Sequence, residues 1–256
     1  MNNLFLYRTD YANSGDIWSS PVHYLGERYQ GTTLDVLKKH NLENREYDNV
    51  FIGGGAIFTV GDWIINIQKT LQTVKFKNLI YWGAGRGLTH NFPFIQYLPT
   101  LAGSREWEPE YFKEYIEWVP CASVLHPLID KYINKPHTKD FLVLNHWKRA
   151  EIIFPAEHTK MNNKPQTIEQ MLEAIAAHKW VLTTSYHAAY WATLLNKRVI
   201  VLQVDGPDNK FRAFKHPPIV SKKFNWELVV KAKNYPNAYE ECLNANLRFS
   251  DKVYSL

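Results

Sequence analysis

Short apolar runs alternate with amphipathic stretches along most of the chain. Residues 3–7 and 78–82 are apolar runs of strand length, and residues 49–53 form a third that leads into three glycines. Residues 17–29 and roughly 60–74 have the pattern of helices. Because short strands that alternate with helices form parallel sheets covered on both faces, the pattern predicts an α/β protein.

The second half of the chain repeats this alternation. Its predicted strands are 141–144, 180–183 and 198–203, and its predicted helices are 168–179, 187–196, 225–232 and 237–247. Prolines and polar residues fill the stretch 120–139, so we place the domain boundary there. We therefore expect two Rossmann-like lobes with parallel sheets and a cleft between them, as in the GT-B fold. Residues 1–120 would form the acceptor side and 121–256 the donor side, with the last helix able to pack back on the first lobe.

Length and charge limit the function without choosing it. The chain has 256 residues, enough for two lobes of about 120 residues each. Its net charge of +5 suits an anionic ligand such as a phosphate, a nucleotide or a nucleic-acid backbone, and is equally typical of a basic surface. We find neither a signal peptide nor an apolar run of about 18 residues, so we expect a cytoplasmic protein without a membrane span.

Glycine-rich loops follow two predicted strands of the first half. Glycines at such positions allow backbone N–H groups to approach an anion, and they are equally typical of tight turns. Neither loop matches a dinucleotide fingerprint or a P-loop. The candidates for loops that line the cleft are Gly15, Asp16, Gly53, Gly54, Gly55, Gly83, Gly85 and Arg86.

His187 is the strongest candidate for a catalytic side chain. It follows the hydroxyl-rich end of a predicted strand, Thr183-Thr184-Ser185, and opens a predicted helix. A helix N-terminus disfavours a histidinium, so a neutral imidazole there can act as a base, or as an acid when an anion is bound. A packing role for the ring is the alternative.

Basic and polar residues near other strand ends are candidates for binding an anionic donor, because guanidinium and ammonium groups pair with carboxylates and phosphates. Charged residues exposed to solvent are the alternative. The donor-binding candidates are Arg105, Ser185, Tyr186, His146, Lys148, Arg149, Lys210 and Arg212. We find no metal-binding motif and expect no tightly bound cofactor.

Several short motifs together resemble the polysaccharide pyruvyl transferase family. In chain order they are Asn13-Ser14-Gly15-Asp16, Ile52-Gly53-Gly54-Gly55, Gly83-Ala84-Gly85, Ser104-Arg105-Glu106, Pro120-Cys121, Thr184-Ser185-Tyr186-His187-Ala188 and Leu195-Asn196-Lys197-Arg198-Val199-Ile200. The resemblance implies a GT-B-like fold and transfer of a pyruvyl group from phosphoenolpyruvate to a sugar hydroxyl of a glycan, with formation of a ketal. It also implies that Arg105 binds the anion and that His187 is the acid.

One departure from the family pattern leaves the donor open. The family has an arginine two residues before the histidine, where this chain has Ser185. Either a neighbouring basic residue such as Lys148 or Arg212 replaces that arginine, or the donor is not phosphoenolpyruvate. The alternatives are a nucleotide-sugar-dependent glycosyltransferase acting on a glycan or on a modified base in nucleic acid, and a binding protein without activity.

Overall fold

The computed structural model describes residues 1–9, 13–59, 61–85, 97–107, 116–133, 135–164, 167–203 and 209–256. The chain divides into two compact units. The first contains Met1–Asp10, Asp16–Ser123 and Asn244–Leu256, and the second contains Tyr11–Gly15 and Val124–Leu243. Arg86 lies outside the described residues. None of the described helices is long and apolar enough to cross a membrane.

The first unit is built on a six-stranded sheet. Its strands are β1 (Asn3–Tyr7), β2 (Gly31–Asp35), β3 (Arg45–Ile52), β4 (Val74–Ala84), β5 (Leu101–Ser104) and β6 (Ile116–Trp118). They are all parallel and lie in the order β2-β1-β3-β4-β5-β6. The helices α1 (Ser14–Trp18) and α2 (Gly61–Gln72) follow β1 and β3. The sheet confirms the predicted α/β class for this half.

The end of the C-terminal helix α8 (Ala238–Tyr254) belongs to the core of the first unit. The indole N–H of Trp82 donates to Asn246 Oδ1 at 2.8 Å, and the Trp82 ring meets Phe249 edge-on with centroids 5.0 Å apart. The hydroxyl of Tyr29 donates to the backbone carbonyl of Val253 at 2.9 Å. These contacts bury aromatic surface on the sheet, which explains why the last residues of the chain group with its first half.

The single helix predicted for residues 17–29 is wrong. The chain there forms the end of α1 and two short 3-10 turns, Pro21–His23 and Glu27–Tyr29. Pro21 has no N–H to continue a helix, and Ser20 adopts an extended conformation and caps the first turn through the N–H of Val22.

The second unit is built on a five-stranded sheet. Its strands are β7 (Lys139–Asn145), β8 (Thr159–Asn162), β9 (His178–Thr183), β10 (Arg198–Leu202) and β11 (Ile219–Ser221), all parallel, in the order β11-β10-β9-β7-β8. Its helices are α3 (Pro127–Tyr132), α4 (Ile168–Ala177), α5 (Tyr186–Leu194), α6 (Asn209–Arg212) and α7 (Trp226–Lys231).

Helices α4 and α5 pack together against the sheet. Every residue of α5 is buried, which fits a sequence that is apolar or aromatic apart from His187 and Thr193. Thr167 and Gln170 cap the start of α4 reciprocally, and Lys197 donates to the carbonyl of Ala176 in its last turn at 2.7 Å. The Lys197 side chain therefore supports the fold.

Both sheets have the same strand order. Within each unit the second strand lies at one edge, and the third lies on the other side of the first strand. In open parallel sheets, ligands bind outside the carboxyl ends of the strands at such a switch point. That position is the end of β1 and β3 in the first unit and the end of β7 and β9 in the second.

Candidate functional site

Hydroxyl groups join the ends of β7 and β9 and the loops that follow them. Thr183 Oγ1 donates to the carbonyl of Leu144 at 2.6 Å and accepts from the N–H of Ser185 at 2.9 Å. Thr184 Oγ1 accepts from the N–H of His146 at 2.8 Å. These bonds hold the two loops side by side at the switch point of the second sheet.

The N-terminus of α5 lies directly after these hydroxyls. Ser185 is the N-cap residue, and its side chain accepts from the N–H of Ala188 at 3.5 Å. Ser185 is only 2% exposed, so its hydroxyl is used to begin the helix. The first N–H groups and the dipole of a helix attract anions, so this end of α5 suits a phosphate or carboxylate.

His187 is the second residue of α5 and is 6% exposed. Its ring lies 5.4 Å from that of Tyr186 and 5.8 Å from that of Trp191, centroid to centroid. On another side it packs against the backbone of Gly15, where an added Cβ would lie 2.2 Å from His187 Nδ1. Gly15, predicted as part of a loop that lines the cleft, leaves the space that the imidazole occupies.

Two asparagines that the sequence did not single out organise this region. Asn163 is 2% exposed; its Oδ1 accepts from the N–H of Trp147 at 2.9 Å, and its Nδ2 donates to Asn13 Oδ1 at 3.0 Å. Asn13 Oδ1 also accepts from the N–H of Gly15 at 3.2 Å. Asn163 thereby connects the loop after β7 to the segment that packs on His187.

The loop after β7 borders a cavity of about 310 Å³. His146 is half-buried, and its Nδ1 accepts from the N–H of Lys148 at 3.2 Å. Lys148 and Arg149 are exposed. The cavity is lined by Asn145, His146, Trp147, Arg149, Glu151, Lys160, Met161 and Asn162, with Glu151 paired to Lys160.

Helix α6 brings two further candidates to the same edge. The buried Phe211 ring lies 6.3 Å from the ring of Tyr186, which also contacts Phe214 at 4.6 Å. Lys210 is half-buried, with its Nζ 4.9 Å from the centroid of the Phe211 ring, and Arg212 is exposed. The candidates after β7, β9 and β10 are thus held at one edge of the second sheet.

Arg105 lies in the first unit and forms a buried ion pair. Its Nε donates to Glu106 Oε1 at 3.2 Å, and Ser104 Oγ donates to Glu106 Oε2 at 3.2 Å. Arg105 and Glu106 are 3% and 1% exposed. The guanidinium packs on Gly85, where an added Cβ would lie 2.5 Å from Nε. The anion-binding role that the resemblance implies for Arg105 stays a prediction, and its charge is already balanced by Glu106.

The glycine loops of the first unit use their N–H groups internally. The N–H groups of Gly53 and Gly54 donate to the carbonyls of Leu6 and Ser19, respectively, each at 3.2 Å. The N–H of Gly85 donates to the carbonyl of Gly55 at 2.8 Å. These bonds fit the interpretation of tight turns.

Gly83 and Asp16 are placed differently from those loops. Gly83 lies inside β4 with φ +58°, a conformation that favours glycine because it has no Cβ. Asp16 is half-buried, and its carbonyl accepts from Ser19 Oγ at 2.8 Å. An anion contact by either residue stays a prediction.

Comparisons with known proteins identify the fold. The sequence matches no protein-family model and no curated protein sequence. The structure resembles the UDP-GlcNAc 2-epimerase from Neisseria meningitidis, solved with UDP-GlcNAc bound, with a TM-score of 0.52 and 8% identity over 100% of this chain and 99% of that one. The fold is GT-B-like. An uncharacterised Klebsiella pneumoniae protein also matches, with a TM-score of 0.47 and 18% identity over 78% of this chain and 82% of that one.

Proposed function

We propose that the protein is a cytoplasmic transferase that takes a nucleotide sugar as donor and a hydroxyl of a glycan as acceptor. The observation that carries the proposal is the carboxyl edge of the second sheet. There the N-terminus of α5, the imidazole of His187 and the basic residues of the loop after β7 and of α6 belong to one unit.

Electrostatics at this edge favours a diphosphate. The N–H groups at the start of α5 provide hydrogen-bond donors that need no side-chain charge. Lys148 and Arg149 in the loop after β7 and Lys210 in α6 add positive charge. The structural neighbour from Neisseria meningitidis has UDP-GlcNAc bound, which supports a nucleotide sugar as the ligand class.

The chemistry requires one group that moves a proton. The acceptor oxygen attacks the anomeric carbon, the bond from that carbon to the phosphate oxygen breaks, and the nucleoside diphosphate leaves. Neutral His187 takes the proton that the acceptor hydroxyl loses. The packing of Gly15 and Trp191 on the ring fixes its orientation, which favours a general base over a flexible surface histidine.

Pyruvyl transfer, the activity implied by the family resemblance, is less well supported by these side chains. Phosphoenolpyruvate carries a carboxylate and a phosphate, which call for cationic partners. Arg105 is paired with Glu106, and Ser185 caps α5 where the family has an arginine. Lys148 and Arg149, with Lys210 and Arg212 of α6, would have to hold both anionic groups of that donor.

Thermal shift measurements with three ligands test the donor. A ligand that binds only the folded state at 100 times its Kd stabilises by about 2.7 kcal/mol. We expect UDP and UDP-GlcNAc to raise the melting temperature and phosphoenolpyruvate to leave it unchanged. A rise with phosphoenolpyruvate alone would overturn the nucleotide-sugar proposal in favour of pyruvyl transfer.

A histidine substitution then tests the base. His187→Gln keeps a polar side chain of similar reach, so we expect donor binding to persist while release of the nucleoside diphosphate to an acceptor is lost. His137→Gln is the matched control, because His137 is exposed in the same unit. Equal turnover in the two variants would remove His187 from the reaction.

A further inference from the structure

Exposed apolar and basic side chains form a patch on the second unit, which includes Ile153 from the later part of the loop after β7. We define this basic-apolar patch as Ile153, Trp226 and Val230 with the lysines of residues 222–233. Among the described residues, three large hydrophobic side chains are more than four-fifths exposed, and two of them are Ile153 at 90% and Val230 at 84%.

Helix α7 presents its apolar residues on two opposite faces. Leu228 and Ala232 are buried against the sheet. Trp226 and Val230 are one turn apart and therefore share the outer face, where Trp226 is 54% exposed. A surface helix normally has polar residues on that face. Part of the Trp226 ring packs on Phe224 at 5.3 Å, whereas Val230 is 84% exposed.

Ile153 lies next to this helix. Its neighbours Ile152 and Phe154 are buried in the core of the second unit, and the Phe154 ring lies 6.0 Å from that of Trp226. Ile153 also lines a cavity of about 380 Å³ together with Lys222, Lys223 and Glu151, whose carboxylate is paired with Lys160. Phe224 lines this cavity as well, and its ring lies 5.3 Å from that of Trp226, which connects the cavity to the first residue of α7.

The charge of the patch is one-sided. Residues 222–233 contain four lysines, Lys222, Lys223, Lys231 and Lys233, and one acidic residue, Glu227. All four lysines are exposed. Glu227 pairs with Lys231 at 3.0 Å, so the other lysines dominate the charge that a partner would meet.

We propose that the basic-apolar patch docks the protein on the surface of an anionic lipid bilayer. Lysines attract the phosphates of anionic lipids, while Trp, Ile and Val side chains enter the boundary between headgroups and acyl chains. This binding goes beyond the transfer reaction and does not depend on it.

The composition of the patch favours a bilayer over other partners. A nucleic acid would use aromatic side chains for stacking and gain little from the aliphatic Ile153 and Val230. A second copy of the chain, paired through the same patch, would bring two sets of lysines together. A bilayer satisfies both the lysines and the aliphatic side chains at once.

Vesicle sedimentation of the full chain tests the proposal. We expect binding to phosphatidylcholine vesicles that contain phosphatidylglycerol, weak binding to phosphatidylcholine alone, and release at high salt. Each lysine near an anionic surface contributes about fivefold, so the double variant Lys222→Glu, Lys223→Glu should weaken binding by at least about 25-fold. The variant Val230→Ser should weaken vesicle binding by about tenfold, because it removes an aliphatic group that enters the bilayer in the bound state.

Matched variants elsewhere control for net charge and for apolar exposure. Lys38→Glu with Lys39→Glu reverses two adjacent exposed lysines of the first unit, and Leu98→Ser removes another side chain that is 84% exposed. We expect both to bind vesicles as the unaltered chain does. The proposal fails if the unaltered chain ignores anionic vesicles, if the controls weaken binding equally, or if heparin is bound while vesicles are not.

Discussion

The switch points of the two sheets have the same topology and opposite chemistry. In the first unit the loop after β3 is three glycines, and the N–H groups of Gly53 and Gly54 are bonded to backbone carbonyls. In the second unit the loop after β9 carries the hydroxyls of Thr184 and Ser185. Ser185 caps α5, the helix that carries the His187 imidazole. The comparison shows that strand order selects the edge where a ligand can lie, whereas the residues decide what that edge can do.

Buried charge distinguishes the two edges as well. At the end of β5, Arg105 and Glu106 neutralise each other inside the protein. Burial raises the pKa of the nearby Cys121 thiol, which keeps it protonated and unreactive at neutral pH. The basic residues after β7 are instead exposed beside an open cavity. We infer that the first edge stabilises its unit, and we propose that the second edge binds the anionic donor.

The largest effect on stability is expected from Glu106→Ala. It leaves the Arg105 guanidinium buried without this carboxylate, and breaking a buried pair typically costs about 3–5 kcal/mol. Urea unfolding should show a clearly lower midpoint. Glu46→Ala is the control, since Glu46 pairs with Lys75 on the surface and such pairs contribute little. If Glu106→Ala shifted the unfolding midpoint only slightly, water would have to reach the Arg105 guanidinium.

The next largest effect is expected on activity, from Gly15→Ala. The added Cβ would overlap His187 Nδ1, so the imidazole must move, and a misplacement of about 1 Å can cost about 100-fold in rate. Turnover should fall strongly, whereas the melting temperature should change much less. Gly61→Ala has open space around the new methyl group, so this matched control should keep full turnover. Normal turnover in Gly15→Ala would contradict the assigned orientation of His187.

The continuous apolar runs explain which strands were predictable. β1 was predicted with its observed bounds, and the prediction for β10 was one residue too long. The prediction for β9 lacked its first two residues, because the apolar run begins only at Trp180. β8 has the sequence Thr-Lys-Met-Asn and lies at the edge of its sheet, half exposed, so no apolar run indicates it. Edge strands depend on pairing with residues distant in sequence, and local patterns do not show such pairing.

The candidate site was predictable where its residues lie close together in the sequence. The position of His187 at the start of a helix followed from the hydroxyl-rich strand end before it. Asn163 was missed because it follows β8, the strand without a pattern. The burial of Arg105 depends on Gly85, which lies 20 positions earlier in the sequence and leaves space for the guanidinium.

A smaller effect is expected from pH, and it should be greater in the second unit. Burial lowers the pKa of His178 and His216 in that unit, and of His23 in the first. Because these folded-state pKa values lie below the unfolded value of about 6.5, unfolded chains bind protons first as the pH falls. Stability should therefore be full above that pH and decline below it, by at most about 1.4 kcal/mol per pH unit for each histidine.

Unfolding measurements between pH 7.5 and 5 check this prediction. His178 contacts the carbonyl of Ala174 at 2.6 Å and the hydroxyl of Thr159 at 2.8 Å, and both contacts suit the neutral ring. His178→Gln should make the acid decline shallower, whereas the exposed control His137→Gln should leave it unchanged. Stability that rises as the pH falls through this range would reverse the sign and refute the account.

The smallest effect on stability is expected at Ser185, and it separates capping from binding. Ser185→Ala removes the cap of α5 and should cost about 1 kcal/mol, as Thr167→Ala should for the cap of α4. Ser185→Asp keeps a capping oxygen but adds negative charge where we propose that the donor phosphate binds. We therefore expect Ser185→Asp to lose the thermal shift with UDP, and Thr167→Ala to lower the unfolding midpoint while keeping that shift. A normal UDP shift in Ser185→Asp would place the donor away from the start of α5.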